Sequence, residues 1–142
     1  MSIIVARYHP ETEMTFLRSY SPFLLSVFRI MAGALFLQHG TSKYLSLPVT
    51  QMSGVSPMTM GGAAGIIELV CGALIVLGLF TRPAAFLASG TMAVAYFMAH
   101  APQNFYPILN GGELAALYCF SFLYLAAAGP GPLSIDRLRG AA

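Results

Sequence analysis

Six ionisable side chains stand inside otherwise apolar stretches of this chain: Arg29, His39, Lys43, Glu68, His100 and Glu113. A charge held among hydrocarbon is expensive, so such groups default to a functional site and must satisfy one another. Carboxylate and imidazole together exchange protons near neutral pH, which suits the two-proton chemistry of a quinol. On that reasoning Glu68, Glu113, His39 and His100 are the candidate catalytic, proton-handling set. Arg29 and Lys43 balance the charge, and Phe36, Tyr96, Phe105 and Phe120 offer walls for a substrate ring. The same residues also fit a plainer reading, an ion-pair network that fixes helix register and binds nothing. Glu113, close to a helix N-terminus, fits a dipole-capping role as readily as a catalytic one.

Other chemistries are poorly served. His39 and His100 could clamp a haem iron, but no attachment motif accompanies them, and their spacing with the carboxylates specifies no metal. Cys71 and Cys119 each stand alone in apolar sequence and read as small packing residues. The formal charge is only +2 and the basic residues are scattered, so nucleic acid is not an expected partner.

The elements that must position these groups follow from composition. The chain has 142 residues, 57% hydrophobic and 8% charged, where a soluble domain has roughly 25% charged residues. With a mean hydropathy of +0.73 it reads as an all-α integral membrane protein. The expected architecture is a four-helix bundle of spans over about 22–43, 61–80, 83–100 and 111–128, between an interfacial tail over 1–21 and a C-terminal tail over 129–142. Pro22 opens the first span, Thr81, Arg82 and Pro83 form a short turn, and Gly129-Pro130-Gly131-Pro132 ends the last helix. No small-residue cleavage site precedes the first apolar run, so that span is expected to be retained.

Helical periodicity then distributes the residues. Gly61, Gly65, Glu68 and Gly72 share one face of the second span, where the glycine spacing invites a close helix neighbour. Ile66, Val70, Leu74 and Leu77 lie opposite. The first span turns Arg29, Gly33, Phe36, Gly40 and Lys43 to one side with His39 on its flank, and the third aligns Ala85, Ser89, Met92, Tyr96 and His100. The fourth carries Glu113, Phe120, Tyr124 and Ala127 along one face. Arg7, Arg18, Arg82, Arg137 and Arg139 fall at one set of helix ends against Lys43 at the other, which places both termini in the cytoplasm. Lys43, His39, His100, Glu113 and Glu68 then gather within roughly the outer 12 Å of the bundle. Arg29 lies deeper, its side chain leaning toward the helix N-terminus and away from Glu68.

The chain resembles the DoxX family of small four-helix bacterial membrane proteins. The resemblance rests on Arg29, His39-Gly40 and Lys43, on Glu68 through Gly72 and Gly78 to Thr81-Arg82, on His100, on Asn110-Gly111-Gly112-Glu113, and on Gly129-Pro130-Gly131 with Asp136. It implies an inner (plasma) membrane location and a role beside quinone-linked redox complexes, with quinone or quinol as substrate and the lipid bilayer, other subunits or a second copy as partners. No cofactor motif is present in the sequence itself. A small-solute binding or transport protein and a structural partner of another membrane complex are the alternatives.

Overall fold

A chain with this much apolar side-chain surface must satisfy its backbone groups internally, and helices do so within a single segment. The computed structural model describes residues 15–141, and among them it contains helices and no strand. α1 spans Thr15–Leu45, α2 Met60–Leu77 and α3 Thr81–Ala95, which continues as a π-helical turn over Tyr96–His100. The single-turn α4 (Pro107–Asn110), then α5 (Glu113–Ala128) and the single-turn α6 (Ile135–Leu138) follow. α1 packs on α2, α2 on α3 and α3 on α5, while α5 touches α1. By length and composition, α1 over Leu17–Leu45 and α2 are able to cross a membrane. α5 is apolar but shorter.

The α1–α2 contact is built from glycine. A Cβ at Gly40 would lie 2.5 Å from the Leu69 backbone nitrogen, and one at Gly72 would lie 2.7 Å from Leu37 Cα. Each helix therefore offers a notch to the other's backbone, the packing mode that works where lipid removes the hydrophobic drive. Gly65, Glu68 and Gly72 are buried on this face as their spacing predicts, with Gly61 at its margin and Ile66, Val70 and Leu77 exposed behind it. The core that the helices enclose centres on Phe36, Ile75, Ala85, Met92, Phe122 and Leu125.

Several boundaries differ from the expected ones. Helix α1 does not open at Pro22 but runs through it. Proline removes one N–H from the ladder, and Pro22 costs the helix that bond without ending it. Of the tail expected over 1–21, the part up to residue 14 lies outside the described residues. Helix α2 stops at Leu77 because Gly78 adopts a left-handed conformation at φ 67°. There the Leu79 N–H reaches Leu74 O at 2.9 Å and the Gly78 N–H reaches Ile75 O at 3.1 Å, a Schellman closure. Thr81, Arg82 and Pro83 consequently form the first turn of α3, not the connector.

The end of the molecule holding that turn is closed by the C-terminal tail. Fully buried Arg29 donates to Ile75 O at 2.7 Å, to Val76 O at 2.8 Å and to Leu133 O, so its guanidinium caps the exposed carbonyls at the end of α2. Arg82 does the same for α5, donating to Ala126 O at 3.0 Å and Ala127 O at 2.5 Å. At the opposite pole of a helix dipole, the Asp136 carboxylate accepts from the N–H groups of Phe80 at 2.8 Å and Thr81 at 2.9 Å, capping α3. Its own N–H donates to Gly78 O at 2.8 Å.

Candidate functional site

Two turns along α1 from Arg29, toward the other end of the helices, a cavity of about 260 Å³ opens. α1 contributes Phe36 and His39, α2 Glu68, α3 Met92, the π turn His100, and α5 Leu114, Ala115 and Tyr118, with Gly111 at its rim. Glu68 and His100 are each held by a local device. Glu68 is 5% exposed, and Lys43 Nζ lies 2.8 Å from both of its carboxylate oxygens while donating a hydrogen bond to Oε1. The Lys43 stem reaches it by crossing Gly65, where a Cβ would approach Lys43 Cδ to 2.8 Å. Glu68 Oε2 receives the charge of the Lys43 ammonium and, among the described residues, no aligned hydrogen bond.

His100 owes its direction to the π turn, in which the Ala101 N–H reaches back five residues to Tyr96 O at 2.9 Å. Such an inserted residue re-aims the side chains that follow, and π turns recur at functional sites. His100 Nδ1 lies 3.0 Å from Asn110 O. Buried Asn110 is itself tied down, its amide donating to Asn104 O at 2.8 Å and its Oδ1 accepting from the Gly112 N–H at 2.7 Å. Aromatic rings complete the wall: Tyr118 meets Phe36 edge-on at 5.8 Å, stacks on Phe122 at 5.4 Å and faces His39 at 6.3 Å.

The cavity thus gathers Glu68, His39, His100 and Phe36 from the sequence-based set, and the remaining members lie elsewhere. Glu113 is exposed in the first turn of α5 and does not line the cavity, as befits a carboxylate set against a helix N-terminus. Arg29 is occupied at the other end of the helices, and it makes no bond to Glu68. Lys43 stands behind Glu68 and faces a second, larger cavity of about 510 Å³ with Gln38, Ser42, Thr50 and Gln51, which His39 shares. Tyr96 and Phe120 line a separate apolar groove with Phe97 and Cys119, and Phe120 is 70% exposed. Phe105 is exposed on the connector.

Tyr118 is the residue that periodicity missed. The face of α5 turned inward is Ala115, Tyr118, Phe122 and Leu125, not the expected Glu113, Phe120, Tyr124 and Ala127. α5 is apolar nearly all round, so no polar stripe marks its phase. The one cue was Gly112, whose lack of a side chain leaves room for Tyr96 and Asn110 beside the start of this helix. Among the described residues no three His, Cys, Asp or Glu side chains converge as metal ligands. Cys71 and Cys119 are both free.

Comparison with known proteins places this arrangement. The DoxX family model matches residues 24–101, more than half of the chain. The chain belongs to the DoxX family. The matched DoxX segment carries Phe36, His39, Glu68, Met92 and His100, so it supplies three sides of the cavity, and Tyr118 on the fourth lies beyond it. A Haemophilus influenzae protein described as uncharacterized is 43% identical over 131 residues, covering 87% of this DoxX chain and 96% of the relative. No solved structure matches the chain.

Proposed function

We propose that this DoxX chain is a membrane subunit of a quinone-linked oxidoreductase system, with a pocket that exchanges protons with a quinol. The observation that carries the reading is the convergence of Glu68, His39 and His100 on one cavity walled by Phe36 and Tyr118. At about 260 Å³ it lies below the usual range for drug-sized ligands, roughly 300–1,000 Å³, and suits one aromatic ring whose tail stays in lipid. Glu68 and His100 hydrogen-bond the ring oxygens. His39, exposed and shared with the second cavity, passes protons between the pocket and that larger space.

In this reading α1, α2, α3 with its π turn, and α5 form a four-helix bundle that crosses the inner membrane four times. The 16 residues of α5 span about 24 Å at 1.5 Å per residue, so local bilayer thinning accommodates it. Arg18, Arg82, Arg137 and Arg139 lie at the cytoplasmic ends, as do both termini. Partner subunits supply the electrons.

The experiment is gentle purification with mass spectrometry of bound quinones, lipids and proteins, alongside quinol turnover in membranes carrying Glu68→Gln. Quinol or quinone retained by the wild type and lost from the variant is expected. A preparation free of both redox forms, with turnover indifferent to the substitution, would overturn the reading. A second reading draws on the Lys43–Glu68 bond of 2.8 Å: a register-fixing ion pair in a chain that stabilises a partner complex. In that case Glu68→Ala lowers abundance and co-purification of the partner, with no ligand involved.

A further inference from the structure

We infer that the cavity discriminates by hydrogen-bond polarity: it takes a ring that carries hydroxyl donors, the dihydroxy-aromatic form, and rejects the acceptor-only dione. The inference rests on the quinol reading above and adds which redox form the resting pocket holds, and why.

The decisive group is His100. Its Nδ1 lies 3.0 Å from Asn110 O, and a carbonyl oxygen can only accept, so the hydrogen sits on Nδ1. In the neutral imidazole Nε2 then carries a lone pair, and it is the ring nitrogen left for a ligand. This tautomer is built into the fold. The Asn110 carbonyl cannot swing away, because the residue is buried, its N–H is bonded to Tyr106 O at 3.1 Å, and its amide group is held from both sides by Asn104 and Gly112.

Glu68 presents the same polarity. Its carboxylate lines the cavity and has no donor to give: Oε1 accepts from Lys43, and Oε2 lies 2.8 Å from the same ammonium. A carboxylate offers about four lone-pair sites and one ammonium does not take them all, so a ligand meets only acceptors on this side chain. Lys43 is not available to a ligand, since it does not line this cavity and its ammonium is engaged with Glu68. The remaining polar groups, the Tyr118 hydroxyl and His39, adapt to donor or acceptor. A diol therefore satisfies Glu68 and His100 together, whereas a dione sets its carbonyl lone pairs against theirs.

The test is isothermal titration of the purified full-length chain in nanodiscs, under anaerobic conditions. The probes are an alkyl hydroquinone, its dione and its dimethyl ether, which keeps the ring but donates nothing and cannot be oxidised. Binding of the hydroquinone at least about tenfold tighter than either other probe is expected, well within the roughly 10⁴–10⁵-fold by which a site built to hydrogen-bond a hydroxyl can reject an analogue without one. His100→Phe and Glu68→Gln should each bring the ratio toward one. Equal binding of all three probes by the wild type overturns the inference and leaves the quinone reading standing. A hydroquinone preference unchanged in both variants removes it from these residues and overturns it as well. Binding of none of the three ends both. The wild-type ratio decides the matter even where a variant does not fold.

Discussion

The carboxyl of Asp136 is tied to the fold more firmly than its place in a short tail suggests. Burial alone would push its pKa up, but the N–H groups of Thr81 and Phe80 and the nearby positive charge of Arg139 outweigh burial and hold it below the ordinary carboxylate value. A group depressed in the folded state lends its stability fully above the unfolded pKa, about 3.9, and loses it as pH falls through the folded value. Asp136→Ala should therefore cost about 1–3 kcal/mol at pH 7, and its deficit against wild type should shrink below about pH 4. Thermal unfolding in micelles across that range checks this, and a deficit that stays constant down to pH 2 contradicts it. The buried Lys43–Glu68 pair makes a different demand. Lys43→Met strands the carboxylate and should destabilise by about 3–5 kcal/mol, while adding Glu68→Leu to it should recover most of the loss. A double variant as unstable as the single one would show that the pair is not what holds these helices. Both acidic residues were visible in the sequence; their partners were less so. That Arg29 would lean away from Glu68 followed from side-chain direction in a helix, but that it would cap Ile75 and Val76 did not, because backbone carbonyls have no signature in residue identity.

Helix faces divide into those that periodicity could resolve and those it could not. On α2, glycines and a single acid stand out against aliphatic residues, so contrast fixes the phase, and the buried face is the one expected. On α5 that contrast is missing, and Tyr118 went unrecognised for that reason. The π turn at Tyr96–His100 also left no mark, since neither glycine nor proline interrupts its five residues. Glycine positions offer the sharpest test at this scale. Gly40→Ala would thrust a methyl to 2.5 Å from the Leu69 backbone nitrogen, and backbone cannot step aside as a flexible side chain can. It should separate α1 from α2 and destabilise by about 1–3 kcal/mol. Gly90→Ala meets nothing within 4 Å and lies mid-helix, so the better helix former should leave stability unchanged or raise it by up to about 1 kcal/mol. Parallel unfolding curves of the two variants measure the difference, and equal losses would contradict the packing described for α1 and α2.

For the molecule as a whole, the two ends of the helices are chemically unlike, and that asymmetry predicts an orientation. One end is stapled by the tail, where Arg29, Arg82 and Asp136 cap three helices. The other carries the cavities and the connectors rich in proline and polar uncharged residues, with Lys43 turned inward upon Glu68. Arginines retained at one face of a bilayer orient a short chain more strongly than acids do, so the stapled end is predicted to lie in the cytoplasm. Cysteine scanning tests this directly, after Cys71 and Cys119 are replaced by alanine to give a silent background. Met58 on the first connector is 97% exposed and Leu138 in α6 is 87% exposed, so a single cysteine at either is open to a reagent on its own side. In intact cells a membrane-impermeant maleimide should label Met58→Cys and leave Leu138→Cys unreacted until the cells are opened. The reverse pattern would turn the molecule over and point its cavities at the cytoplasm. The proton exchange proposed for Glu68 and His39 would then draw on the opposite compartment.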